Sequence, residues 1–264
     1  MSYETIQVNI EHGAATVTLN RPDVRNAFNE MVISELNQVF QELGQMDHVR
    51  AIVLAANGTA FCAGGDLNWM KKMAAYTAEE NLADAEKLAE MLYQIYSCNK
   101  PVIAKIQGDC YAGGMGLAAA CDIAVAVDTA GFCLSEVKIG LVPATISPYV
   151  IKAMGANAAR RYFITAERFS AAEAHRIGFV HEAVPADRLD ATVDQIVKAI
   201  LGNGPGAVMV AKWLVEDVAG ADIDDELLGY TAECIAEIRG SDEGKEGVAA
   251  FLEKRKPNWL LHLN

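Results

Sequence analysis

Between Pro101 and Val127 the sequence PVIAKIQGDCYAGGMGLAAACDIAVAV reads as strand, glycine turn, buried helix and strand. Val102 to Ile106 is a short β-branched run that Gly108 interrupts. Gly113-Gly114-Met115-Gly116 then opens the apolar segment Leu117 to Cys121, whose length and hydrophobicity are those of an interior helix. The first N–H groups of a helix have no intrahelical partner, and the helix dipole adds partial positive charge there. A polarised or anionic oxygen is their natural ligand. On this stretch alone, close packing of a helix against a sheet is the simpler account of the glycines.

A second loop of the same kind changes that balance. Ala51 to Ala55 reads as a buried strand and Asn57-Gly58 as a turn, and Phe61-Cys62-Ala63-Gly64-Gly65-Asp66-Leu67 bends into another helix with Asp66 at the cap. Two backbone donor sites, each following a strand, can together hold the oxygen of a carbonyl as it becomes an oxyanion. Such paired donors are often the largest single catalytic contribution a protein makes.

In this order and spacing, FCAGGDL, GDCYAGGMGLAAACDIAVA and FCLSEVKIGLVPA resemble the crotonase (enoyl-CoA hydratase/isomerase) superfamily, and the likeness runs from the first hairpin to the AFLEKRKPNW tail. Within it, DLNWM followed by ENLADAEKLAEMLYQIY, and SEVKIGLVPATISPYVIKAMG, look most like bacterial methylglutaconyl-CoA hydratases. The resemblance implies an α/β fold, a spiral of ββα repeats with a C-terminal helical trimerisation region, assembled as a homotrimer or dimer of trimers. It implies hydration of a short branched 2-enoyl-CoA such as 3-methylglutaconyl-CoA, in leucine, isoprenoid or fatty-acid breakdown. Coenzyme A then arrives as part of the substrate, and no separate cofactor or metal is expected.

The resemblance also assigns residues. Gly65 and Gly113 fall on the oxyanion-hole positions, and Glu136 on the glutamate that exchanges a proton with substrate carbon. Arg25 and Ala27 fall in the segment that lies against the CoA nucleotide. Ala63, Asp66, Leu67, Trp69, Met70, Tyr111, Gly114, Gly116 and Pro143 fall on positions expected to bind the substrate or its CoA. Phe251 and Lys254 are expected to reach the CoA of a neighbouring subunit. One departure matters: enoyl-CoA hydratases of this family commonly carry a second glutamate two residues after the glycine pair, where this chain has Gly116. A Δ3,Δ2-enoyl-CoA isomerase needs only one carboxylate, and a CoA-thioester-binding homologue without hydratase activity needs none.

Taken without the resemblance, these residues have plainer accounts. Glu136 could be a surface carboxylate paired with Lys138, although burial would raise its pKa toward that of a useful acid/base group. Arg25 could be a solvated loop charge, Trp69, Met70 and Met73 could be core, and Lys254-Arg255-Lys256 a solvated basic tail. Gly114-x-Gly116-x-x-Ala119 with Glu136 about twenty residues on also fits a dinucleotide fingerprint. That motif needs its strand to run directly into the first glycine, whereas Gln107 to Gly113 intervenes.

A net charge of −13 repels phosphate backbones and argues against a nucleic-acid partner. The six cysteines are scattered without a C-x-x-C pair or a His cluster, so they read as buried thiols of a reducing compartment. MSYETIQVNIEH has neither a basic nor an apolar leader region, and no apolar run approaches a bilayer span, so a cytoplasmic protein without a membrane partner is expected. Elsewhere the patterns predict a hairpin of Thr5 to Ile10 and Ala14 to Leu19, and a helical stripe over Asn26 to Glu42. Capping boxes are expected at Thr77/Glu80 and Ser170/Glu173, a strand over Val180 to Val184, and helices at Asp187 to Leu201, Pro205 to Ala219 and Asp222 to Arg239. Gly202-Asn203-Gly204-Pro205 divides an acyl-CoA core, residues 1–201, from a helical oligomerisation region, residues 202–264.

Overall fold

A computed structural model describes residues 3–261. The hairpin of β1 (Ile6–Glu11) and β2 (Ala14–Leu19) turns at His12 and Gly13, both at positive φ, and is followed by α1 (Glu30–Gly44), whose first turn Asn29 caps by accepting the Val32 N–H. Next come β3 (Ala51–Ala56), β4 (Ala60–Cys62), α2 (Leu67–Met73) and α3 (Ala78–Tyr96), then β5 (Val102–Ile106), β6 (Asp109–Tyr111) and α4 (Gly113–Ala119). A third strand pair, β7 (Ile123–Val127) and β8 (Gly131–Cys133), leads through α5 (Ser147–Thr165) to β9 (Phe169–Ser170) and α6 (Ala171–Arg176). The chain continues through β10 (Glu182–Val184), α7 (Leu189–Gly202), α8 (Pro205–Val218), α9 (Asp225–Gly240) and α10 (Asp242–Leu252).

The strands divide between two sheets. One has six strands in the order β1-β2-β3-β5-β7-β10, and the other four in the order β4-β6-β8-β9. Successive strand pairs alternate between them: β3, β5 and β7 lie side by side in the large sheet, and β4, β6 and β8 side by side in the small one. Each pair is followed by helix, so the chain advances one strand in each sheet per repeat, an α/β spiral of ββα units. The central strands read AIVLAA, VIAKI and IAVAV and are buried on both faces. Such near-continuous apolar runs are what a parallel sheet covered on both sides requires.

Several expectations need correcting. The interval between β5 and the glycines is not a plain loop: it contains β6, too short for alternation to reveal. Helix α1 starts at Glu30 rather than Asn26, because Arg25 and Asn26 both take left-handed backbone (φ 53° each). The stripe itself forms, with Val32, Leu36, Val39, Phe40 and Leu43 buried, but Met31 is exposed, and Glu35 is buried and accepts the N–H groups of Glu4 and Thr5 at 2.7 and 2.9 Å. The Thr77/Glu80 capping box forms, but at Ser170 only the hydroxyl half does, since Glu173 is held by Tyr162 and Arg176. The strand expected over Val180 to Val184 spans only Glu182–Val184, and a last helix, α10, follows α9.

Lys212 on α8 donates to the Cys98 carbonyl and the Asp122 carboxylate at 2.8 and 2.9 Å. Arg50 donates to the Leu201 and Trp259 carbonyls at 2.9 and 3.1 Å. Both tie the C-terminal helices to the sheet region, and the division into residues 1–201 and 202–264 is kept as a proposal. Among the described residues no helix is long and apolar enough to cross a membrane.

Candidate active site

Strands β4, β6 and β8 run parallel, so their carboxyl ends meet at one edge of the small sheet. That edge is where open α/β sheets commonly hold ligands. Each strand delivers one expected group there: β4 leads to Gly65, β6 to Gly113 and β8 to Glu136.

The glycine loops interlock. A β-carbon on Gly64 (φ 91°) would lie 2.8 Å from that of Ala112, and one on Gly114 would lie 2.5 Å from the Cys62 carbonyl oxygen. Ala112 sits at φ 48° and ψ −125°. A non-glycine residue there costs on the order of 1–3 kcal/mol and persists only where its surroundings hold it. Turning at Ala112 makes Gly113 the first residue of α4, so its N–H has no acceptor within the helix. Neither the Gly65 nor the Gly113 N–H donates to any group among the described residues.

Glu136 opens a single helical turn, Glu136–Ile139. Its carboxylate Oε2 is buried without a hydrogen-bond partner, and burial raises its pKa above the ordinary glutamate value of 4.5. Lys138 does not neutralise it; its ammonium lies 4.0 Å from the Cys133 sulfur instead. The ion-pair account of Glu136 is therefore incorrect. A buried carboxylate with a free oxygen is able to exchange protons.

Gly65, Gly113 and Glu136 share a cavity of about 680 Å³ with Ala63, Leu67, Trp69, Met70 and Pro143. Met73, Leu88, Ile139, Leu141, Val142 and Ile146 make its wall apolar; Asn81, Asp84, Ser135 and Thr145 add the other polar groups. Arg25 and Tyr111 line a smaller neighbouring cavity of about 220 Å³, which shares Ala63 with the first. The Tyr111 hydroxyl donates to Asp109 at 2.8 Å, and Arg168 donates to both.

Other expected site residues lie elsewhere. Ala27 is buried, and its carbonyl accepts from Arg21. Asp66 is consumed as the α2 cap and pairs with Arg21 at 2.9 Å. Burial pushes its carboxyl up, but hydrogen bonds from the Asn68 N–H, Arg21 and the Trp69 N–H outweigh this and hold it low. Gly114 and Gly116 lie outside the cavity wall, packed on Cys62 and Ile146. Phe251 and Lys254 are exposed beyond both cavities, so within this one chain they contribute nothing to the site.

Sequence reading missed Phe28 and Ile146 in the cavity wall and did not single out Asp84 on the helix that follows Thr77. Phe28 had a usable signal in its position two residues after Asn26, beside the segment placed at the CoA. Asp84 looked like any polar position of an amphipathic helix. Cys62 and Cys110 are fully enclosed, and burial pushes the Cys62 thiol up to about 12 and that of Cys110 well up, which removes them as nucleophiles. Among the described residues no group of three His, Cys, Asp or Glu side chains could hold a metal ion.

The model of the enoyl-CoA hydratase/isomerase family matches residues 9–261. The structure superposes on that of an enoyl-CoA hydratase from Shewanella pealeana with a TM-score of 0.94 and 44% identity, covering 97% of this chain and 96% of the other. The sequence is 31% identical to the crotonyl-CoA hydratase of Syntrophomonas wolfei, across 98% of this chain and 99% of that protein. It is also 31% identical to the short-chain-enoyl-CoA hydratase of Clostridium acetobutylicum, across 97% of each.

Proposed function

The chain belongs to the enoyl-CoA hydratase/isomerase family, and we propose that it hydrates a short branched 2-enoyl-CoA to the 3-hydroxyacyl-CoA. The observation that carries this reading is the Glu136 carboxylate, buried with one oxygen unpartnered, in the same cavity as two free glycine N–H groups. The thioester oxygen accepts from Gly65 and Gly113, which draws electron density from the C2–C3 double bond. Glu136 takes a proton from water as the water oxygen bonds to C3, and the protonated carboxyl returns a proton to C2. One carboxylate serves both steps because the oxyanion donors hold the intervening enolate-like charge.

The CoA portion runs over Ala63 toward Arg25 and Tyr111, which border the adjoining cavity. The acyl portion lies among Trp69, Met70, Pro143 and Ile146. We assign 3-methylglutaconyl-CoA as the substrate on the motif likeness, placing the reaction in leucine or isoprenoid breakdown. Among the described residues the cavity wall contains no Lys or Arg, so we place the distal carboxylate of that acyl group at the solvent mouth. Comparing kcat/KM for 3-methylglutaconyl-CoA and 3-methylcrotonyl-CoA tests this, and a strong preference for the neutral thioester would overturn the dicarboxylate assignment.

A second reading, Δ3,Δ2-enoyl-CoA isomerisation, is favoured by Gly116, which leaves Glu136 and Asp84 as the only carboxylates lining the main cavity among the described residues, with Asp84 engaged by the Trp69 indole. Mass spectrometry separates the two: hydration adds the mass of one water and isomerisation none. CoA-thioester binding without either change would support a binding homologue. The protein is proposed to act as a homotrimer or dimer of trimers, with Phe251 and Lys254 presented to a neighbouring subunit's CoA.

A further inference from the structure

Phe28 touches both glycine loops at once. Its backbone bridges the first, since its N–H donates to the Gly64 carbonyl and its own carbonyl accepts the Asp66 N–H, both at 2.9 Å. Its ring covers the second: a β-carbon on Gly113 would lie 2.2 Å from Phe28 Cζ. Trp69 does the same for Gly65, whose β-carbon would lie 3.4 Å from indole Cε3 and Cζ3. The two rings pack against each other with centroids 5.8 Å apart and planes tilted by 54°. Only 2% of Phe28 and 4% of Trp69 is exposed. The indole N–H donates to Asp84 Oδ1 at 3.1 Å, which fastens the pair to α3.

We propose that Phe28 and Trp69, latched by Asp84, form a spacer that fixes the separation of the Gly65 and Gly113 N–H groups. The spacer rests on the reading that these amides polarise a thioester carbonyl. Its physical basis is the steep dependence of oxyanion stabilisation on placement, with donors needed about 2.7–3.1 Å from the oxygen. The loops already touch where Gly64 meets Ala112, itself in the cavity wall. Contact at one point leaves them free to splay, and a rigid pair of rings against Gly65 and Gly113 supplies the second point. Packed aromatic rings resist compression, and the indole cannot rotate without giving up its hydrogen bond to Asp84. Phe28, Trp69 and Asp84 are thus positioning residues, and glycine at 113 is needed to let the Phe28 ring reach its Cα.

The test uses a chromophoric unsaturated thioester, cinnamoyl-CoA, whose absorption moves to longer wavelength when its carbonyl is polarised. The band shift on binding is measured beside kcat and KM for the parent protein, Phe28→Leu, Trp69→Phe and the milder Asp84→Ala. The spacer predicts a smaller band shift and a ~10- to 100-fold loss of kcat in each variant, the scale of a slight misplacement of reacting groups, with KM little changed in Asp84→Ala, which keeps both rings in the acyl pocket. Trp69→Phe and Asp84→Ala remove the same latch, so their losses should not add in the double variant. A full band shift and parental kcat in folded Trp69→Phe and Asp84→Ala would overturn the spacer alone. No band shift in the parent protein would overturn the oxyanion-hole reading, and the spacer with it.

Discussion

A β-carbon on Gly116 would lie 2.1 Å from Cγ2 of Ile146 and 2.7 Å from its Cβ, so the space for a side chain at 116 is already taken by Ile146. Ile146 is buried in the cavity wall just before α5, and Gly116 lies inside α4. Glycine at 116 is thus the complement of a branched residue across the helix interface, and not simply a glutamate position left empty.

Gly116→Ala should destabilise the protein by about 1–3 kcal/mol through overpacking, and Gly116→Glu by more. Ile146→Ala is itself costly, but the penalty of Gly116→Ala should shrink when measured in the Ile146→Ala background. Urea unfolding of the parent, the two single variants and the double variant checks this, and an equal Gly116→Ala penalty in both backgrounds would refute the interlock.

Glu136→Gln retains the shape and removes the titrating group. Turnover should fall ~10²–10⁴-fold while CoA-thioester binding stays near normal. Parental turnover in this variant would move the proton chemistry to other groups.

The pH dependence of Glu136 has a defined sign. Burial raises its folded pKa above 4.5, so the folded chain holds this proton more tightly than the unfolded one. Ionised Glu136 therefore costs stability once pH rises through the folded value, and nothing below the unfolded value. The Gln variant should match the parent in melting temperature in acid and exceed it at alkaline pH. In the parent, kcat/KM should decline as pH falls through a pKa higher than that of an ordinary glutamate, because the base must be ionised to accept the water proton.

The two glycine positions should differ in tolerance. Gly113→Ala drives its β-carbon toward the Phe28 ring at 2.2 Å, whereas Gly65→Ala meets Trp69 at 3.4 Å. Gly113→Ala should lose more thermal stability and more turnover than Gly65→Ala. Thermal melts with steady-state assays rank them, and the reverse order would contradict the geometry.

The C-terminal region carries exposed apolar groups, with Ile223 86%, Phe251 83% and Leu252 72% exposed in the single chain. Light scattering at micromolar concentration should give a mass of three or six chains. A monodisperse monomer would contradict the proposed assembly.

What the sequence by itself determined was local. The central strands were legible because parallel strands covered on both faces read as unbroken apolar runs, and Asp66 and Thr77 because capping is chemistry within four residues. The glycine loops were legible because adjacent glycines after a strand are scarce outside close approaches. What only the tertiary structure decided was contact between segments distant in sequence. Three-residue strands β4, β6 and β8 have no periodicity to read, yet their parallel alignment collects Gly65, Gly113 and Glu136 at one edge. Glu35 becomes a buried acceptor because β1 begins beside α1, and the Trp69 indole on α2 meets Asp84 on α3, fifteen residues away. Ile146 closes on Gly116 from thirty positions away. Side-chain chemistry repeats along the chain and can be read there, but the burial that leaves Glu136 Oε2 unpartnered arises only when separate elements exclude water together.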